Sequence, residues 1–280
     1  MWSFRSLLAM SVGIALVGLT PQADAVAVDS ELLFLVDINQ TGLNNNQFDR
    51  LLQGYGDAMT SSQVLDSIQS GALGKIAVSL VFYGGTSSQT VGIPWMKIGS
   101  LADAQQFSNM VQALSRPFSI SSPSISSALG FATNYFGTET GGASNGFEST
   151  AQVVEVAVST LPLIPNPAAD KAARDGALAA GVDVINSIAV GNRSNTVASY
   201  FASNVIGGEV GGVAASSDRG NINGGFNDFV ATHVGSSVEG AAVESQSAVP
   251  EPTSAICLIP AAGILLLRRR REASISSERA

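Results

Sequence analysis

Residues 31–41 read ELLFLVDINQT. Six positions from Leu32 to Asp37 form an apolar run that ends in an acid, too short for a helix and bounded by polar residues, which predicts a buried strand. Past its end the chain places a carboxylate (Asp37), an amide (Asn39) and a hydroxyl (Thr41) at alternate positions. In open α/β sheets ligands bind beyond the carboxyl ends of the strands, and three side-chain oxygens there could face one hard cation. A second reading of the same residues is that Asp37 caps the following helix, with Asn39 and Thr41 in the turn.

Further along, strands and helices are expected to alternate. Residues 46–59 have helical spacing, with Phe48, Leu51, Leu52 and Tyr55 on one face. Strands are expected at 75–84, 90–98, 152–159, 182–190 and 204–208. Pro94 marks the 90–98 strand as an edge. Helices are expected at 101–114, 124–135, 168–180 (closed by Gly181), 196–203 and 225–234. Near-continuous apolar strands separated by helices imply a sheet covered on both faces. The fold class is therefore α/β, one doubly wound, mainly parallel, Rossmann-like domain over 26–239. A small, polar linker is expected at 240–248.

The two ends read differently. Arg5, an apolar stretch from Leu7 to Leu19 and Ala23-Asp24-Ala25 have the layout of a secretory signal peptide over 1–25. Residues 253–267 carry no charge and are expected to form an apolar, transmembrane helix. At 1.5 Å per residue it extends about 22 Å, short of a hydrocarbon core of about 30 Å. Arg268, Arg269, Arg270 and Arg271 follow, and could snorkel and favour the cytoplasmic side. Residues 273–280 complete the chain.

Charged residues are 13% of the chain, about half the usual share. The span 26–248 holds eight Lys/Arg against 18 Asp/Glu, a net of −10, which argues against a nucleic-acid partner. The single cysteine, Cys257, lies in the tail, so the body has neither a disulfide nor a cysteine-based metal site. One histidine, His233, rules out a zinc centre with several His ligands; its expected place, near a helix end, suggests a partner for the helix dipole. Asp170, Lys171, Arg174 and Asp175 suit pairing along an exposed helix face. Glu155, between valines in a strand, would be costly if buried without a partner.

Taken in order, Gln53-Gly54-Tyr55, Gly74-Lys75-Ile76-Ala77-Val78, Ile93-Pro94-Trp95, residues 125–129, Arg174-Asp175, Gly181-Val182, Ile185-Asn186 and residues 205–208 resemble a bacterial domain-of-unknown-function family with a von Willebrand factor A-like fold, over roughly 30–235. Asp37, Asn39 and Thr41 resemble the D-x-S-x-S start of the metal-ion-dependent adhesion site of A-type domains. The resemblance implies that Asp37 is the first acid ligand, with Asn39 and Thr41 standing for the two serines. The family's next ligand, a threonine, falls at Pro123, with Ser122 or Ser124 as substitutes. The last acid falls at Ser159. Such a site, with one carboxylate, would bind Mg²⁺ weakly, and no other cofactor is implied. Pro250, Glu251 and Pro252, the apolar run and the arginines resemble, over 249–272, a PEP-CTERM sorting tail. That resemblance implies recognition by an exosortase-type processing enzyme, membrane anchorage through the C-terminal helix before processing, and a final place in the cell envelope or outside the cell. The expected role is an exported, non-catalytic binding or structural protein of the cell surface or extracellular matrix, with a protein or polysaccharide partner. The alternative is a cation-dependent hydrolase, or a Mg²⁺-dependent adhesion domain, using Asp37.

Overall fold

The computed structural model describes residues 25–118, 122–222 and 225–248. The expected signal segment before residue 25, the sorting motif at 250–252, the apolar run 253–267 and the arginines 268–271 lie outside the described residues. Among the described residues no helix is long and apolar enough to cross a membrane.

Four strands form the middle of the sheet: β2 (Glu31–Asp37), β3 (Ile76–Tyr83), β6 (Gln152–Val158) and β7 (Val184–Val190). Every residue in them is buried, as near-continuous apolar runs require when both faces are covered. They pair in parallel in the order β3-β2-β6-β7. Strand β4 (Gln89–Ile98) closes one edge, antiparallel to β3. Its register shifts opposite Ser79, which faces two residues, Pro94 and Trp95, and Ser79 Oγ donates to the Ile93 carbonyl. A proline without an N–H is tolerated on that edge. At the other edge β7 is flanked twice. Its first half pairs with β8 (Gly207–Val210), antiparallel, and its second half with β10 (Ser217–Gly220), parallel. The short β9 (Val213–Ala214) extends β8. Two residues on each side, β1 (Val26–Ala27) and β5 (Phe147–Glu148), make a separate ribbon.

The strand period of two divides the core. Leu32, Phe34 and Val36 face one layer with Phe48, Leu51 and Val230, built by α1 (Asn45–Thr60), α2 (Ser62–Gln69), α3 (Leu101–Gln112) and α7 (Phe226–Ala248). Leu33 and Leu35 face the opposite layer with Leu129 and Phe201, built by α4 (Ile125–Tyr135), α5 (Pro167–Ala180) and α6 (Ser194–Asn204). The sheet is thus mostly parallel and doubly covered. Gly181 closes α5 at a φ of 117°, in the left-handed region that a glycine enters without steric cost.

Three expectations need correction. Helix α2 was not foreseen; Ser61 ends α1 and caps α2 at once, its side chain accepting from the Val64 N–H. The strand expected at 204–208 forms later, at Gly207–Val210. The stretch 240–248, expected as a linker, is the second half of α7. Its small residues are an apolar stripe, with Val238, Ala241, Ala242 and Ser245 buried, and Gly240 lies so close to the Val210 carbonyl that a Cβ would sit 2.5 Å from that oxygen.

Candidate functional site

Asp37 ends β2, buried at 2% exposure. Its Oδ1 accepts the Asn39 N–H at 2.8 Å. Its Oδ2 accepts both the backbone N–H and the hydroxyl of Ser159, at 3.1 and 2.7 Å. Ser159 follows β6, the strand beside β2, so two residues 122 apart in sequence meet at neighbouring strand ends. The close approach needs Gly42, because a Cβ there would collide with the Ser159 side chain. Asp37 does not cap α1. Asn44 does, in a reciprocal capping box with Gln47.

Asn39 Oδ1 accepts from the N–H and hydroxyl of Thr41, at 2.7 and 2.6 Å. Its Nδ2 is buried without a partner. Ser122 Oγ accepts the Leu163 N–H at 3.2 Å, Ser124 Oγ donates to Ser127 Oγ at 2.9 Å, and Pro123 lines a shallow depression between them. Arg116 clamps the loop after β2. Its guanidinium donates to the carbonyls of Ile38 at 2.6 Å and Leu43 at 2.9 Å and stacks over Phe48, 4.2 Å from the ring centroid. Burial holds the Asp37 carboxyl above its usual range, opposed by the bonds from Ser159 and Asn39 and by the Arg116 charge.

The structure therefore brings Asp37, Asn39, Thr41 and Ser159 together and leaves Ser122 and Ser124 engaged elsewhere. This donor set does not fit a divalent cation. It offers one carboxylate, and both of its oxygens already accept protein N–H or O–H groups. No group of three or more His, Cys, Asp or Glu suited to an ion occurs among the described residues. Hard cations of this kind need several anionic or carbonyl oxygens free to turn inward.

Just outside Asp37 lies a cavity of about 700 Å³. The loop after β2 contributes Thr41 and Gly42, the loop after β6 contributes residues between Ser159 and Pro165, and the loop after β7 and the first turn of α6 contribute Asn192, Arg193, Thr196 and Val197. Leu163, 78% exposed, lines it, and the next residue on the loop, Ile164, is 87% exposed. The smaller depression, lined by Pro123, Pro162 and Ile164, lies on the other side of the same loop.

A second polar cluster escaped the sequence reading. Glu155, fully buried on β6, accepts from Ser237 Oγ at 2.6 Å and Asn186 Nδ2 at 3.1 Å, and pairs with His233 Nε2 at 2.8 Å. His233 Nδ1 pairs with Asp218 at 2.8 Å. His233 therefore lies in the middle of α7, between two acids, and not at a helix end. Burial alone would lower its pKa, but the Glu155 charge and the bonds from both acids raise it to about 10. The signal in the sequence was Glu155 itself, an acid between valines that had to find a partner. Asp170, expected on an exposed face, is buried and accepts from the Tyr200 hydroxyl at 2.7 Å; only Arg174 and Asp175 pair, at 2.7 Å.

Residues 27–221 match the family model described as "Protein of unknown function (DUF1194)". The chain belongs to this family. No curated protein sequence matches this DUF1194 chain. Among solved structures it is similar to proximal thread matrix protein 1 from the mussel byssus, at 13% identity and a TM-score of 0.50, over 79% of this chain and 50% of that one. A structure of the same mussel protein with a zinc-occupied MIDAS motif gives 16% identity and a TM-score of 0.48, over 78% and 47%. A von Willebrand factor type A protein from Catenulispora acidiphila gives 9% and 0.46, over 77% and 43%. The chain spans about half the length of the mussel protein. At 13% identity the likeness to the mussel protein shows the fold alone: the DUF1194 domain is an α/β domain with a mostly parallel central sheet.

Proposed function

We propose that this DUF1194 protein is an exported, non-catalytic binding protein, and that it meets its partner through the loops at the carboxyl ends of β2, β6 and β7 without a divalent cation. One observation carries the reading. Leu163 and Ile164 are exposed large apolar residues on a loop whose backbone is held by Ser122, between two depressions. Exposing two neighbouring aliphatic side chains on a braced ridge costs solubility with no return to the fold, and such features mark interaction sites. The site at Asp37 supports a structural role for that carboxylate: it ties the loop after β2 to the loop after β6 and so shapes the face.

Export rests on the segment with Arg5 and the apolar stretch 7–19, and on the tail with Pro250, Glu251, Pro252 and residues 268–271. The mussel protein of similar fold is by its name a matrix protein, which agrees with a role outside the cell. An exosortase-type enzyme would process the tail, and the membrane would hold the chain until then.

The test is retention of purified protein on the washed extracellular material of its own culture. Leu163→Ser with Ile164→Ser should release most of it, with the melting temperature unchanged, and a chelator should release none. Retention that survives the double substitution, or that a chelator abolishes, overturns the reading.

A further inference from the structure

Glu31 opens β2 at the amino end of the sheet and is 0% exposed. Its register partners, Ala77 on β3 and Gln152 on β6, carry no charge. Its Oε2 accepts from Asn145 Nδ2 at 3.1 Å, but its Oε1 is buried without a partner. A second acid faces it: the carboxyl of Glu139, on the single 3₁₀ turn Thr138–Thr140, lies within hydrogen-bond reach. A third, Glu148 on β5, adds its charge to the same place. The Thr138 hydroxyl lies 3.2 Å from Glu139 Oε2 and 3.0 Å from Glu148 Oε1, and its one proton serves only one of them. Other acids of this pole turn elsewhere. Asp29 accepts the N–H groups of Leu73 and Lys75, and Asp183 accepts that of Gln152.

An ionised carboxylate that is enclosed, lacks a partner at one oxygen and faces another carboxylate is costly for a fold to hold. One proton removes the cost twice over. It neutralises Glu31, and its O–H supplies the donor that two facing carboxylates lack. We infer that Glu31 and Glu139 share one proton, and that this pair is a latch through which pH sets how firmly residues 137–149 are held against the central sheet. Burial, and then the Glu139 charge, push the Glu31 carboxyl up to about 8, in the direction the latch requires.

The latched segment lies outside the main sheet, since β5 pairs with β1 alone among the described strands. The Val26 and Val28 N–H groups close that ribbon on the Gly146 and Glu148 carbonyls, both at 2.9 Å. Asn145 Nδ2 bridges Glu31 to the Phe136 carbonyl, and the Ser149 N–H donates to Glu139 Oε1 at 3.2 Å. Opening the segment admits water to Glu31, which then titrates near its ordinary 4.5. The closed form therefore holds the proton more tightly. Its advantage is complete below about pH 4.5 and is lost as pH rises to about 8.

The test uses the isotope-labelled full chain. The carboxyl carbon resonance of Glu31, assigned by its loss in Glu31→Gln, should titrate near pH 8. Amide hydrogen exchange, corrected for its intrinsic pH dependence, reads the latch itself. Protection at Val28, Phe147 and Ser149 should be lower than at Leu33 and Leu35 of β2, should fall more than tenfold from pH 5 to 8, and should level off above. Glu31→Gln carries a permanent donor toward Glu139, so it should keep these amides protected and flatten the slope. A Glu31 midpoint below pH 6, ribbon amides that exchange only together with β2, or a slope that survives Glu31→Gln overturns the inference. So does a gain in protection from millimolar Ca²⁺ that the parent shows and Glu31→Gln lacks, because the acids would then hold a cation in place of the proton.

Discussion

At the scale of single residues, Asp37 and Ser159 decide whether this domain uses a metal. The serine hydroxyl and N–H occupy one oxygen of Asp37 and the Asn39 N–H the other, so a cation would have to displace bonds that already compensate a buried charge. Binding weaker than the ligand concentration adds under about 0.4 kcal/mol. Millimolar Mg²⁺ should accordingly shift the melting temperature by less than about 2 °C. Ser159→Asp together with Pro123→Thr supplies a second carboxylate beside Asp37 and a hydroxyl nearby. Two like charges at hydrogen-bond distance destabilise the fold on their own, and a divalent ion relieves them, so the double variant should melt lower than the parent without Mg²⁺ and gain more than the parent from it. A large Mg²⁺ stabilisation of the parent, abolished by Asp37→Ala, would reverse the assignment. Asp37, Asn39 and Thr41 were legible in advance because they are close in sequence, and Ser159 was named only through the family resemblance. The decisive contact joins positions 122 apart, and only the adjacency of β2 and β6 makes it.

At the scale of an element, α7 is held by charge at its middle and by small residues at its end. His233 couples it to Glu155 on β6 and Asp218 on β10. Removing one member leaves the other buried and unpaired, so His233→Ala should cost about 3–5 kcal/mol in denaturant unfolding, and Glu155→Gln with His233→Gln less than the sum of the single changes. The pH dependence follows from the direction of the shift. His233 titrates near 10 in the fold and near 6.5 unfolded, so its contribution is complete below about 6.5 and is lost as pH rises to about 10. Glu31, raised by burial and by Glu139 to about 8, acts in the same sense, since the fold favours its protonated form and stability declines as pH rises from about 4.5 to 8. Unfolding midpoints should therefore fall between pH 6 and 10, and His233→Gln should flatten the upper part of that fall. An unchanged slope in the variant would remove His233 from the account. The second half of α7 gives a separate expectation. Ending the chain at residue 239 exposes Val210 and removes Ala241 and Ala242 from the core, which should destabilise the domain by about 1–3 kcal/mol; equal stability would restore the linker reading. The sequence hid this half-helix because Gly, Ala and Ser serve a linker and a close-packed helix equally well. The strands were readable because long apolar runs have few other uses, and the β4 edge was readable because Pro94 cannot donate inside a sheet.

At the scale of the whole molecule, the chain's two exits lie at the pole opposite the proposed contact face. Asp37, Ser159 and the Leu163–Ile164 ridge cluster at the carboxyl ends of the parallel strands. The chain enters through β1 toward the amino end of β2, where Asp29 accepts the N–H groups of Leu73 and Lys75 at 2.8 and 3.1 Å. It leaves through α7, whose Ser245 hydroxyl accepts from the Ala72 N–H at 3.3 Å, in the same loop before β3. A chain tethered by its C-terminal tail would thus carry the ridge on the side away from the membrane, and binding should not depend on whether the tail has been processed. Replacing Pro250, Glu251 and Pro252 by alanines should leave the protein in the membrane fraction, and this retained form should bind washed extracellular material as tightly as the released form, with the same loss on Leu163→Ser with Ile164→Ser. Release of the altered protein as efficient as that of the parent would refute the sorting reading. Membrane retention accompanied by a large loss of that binding would refute the polar arrangement, since it would require the tether and the contact face to share one end of the sheet.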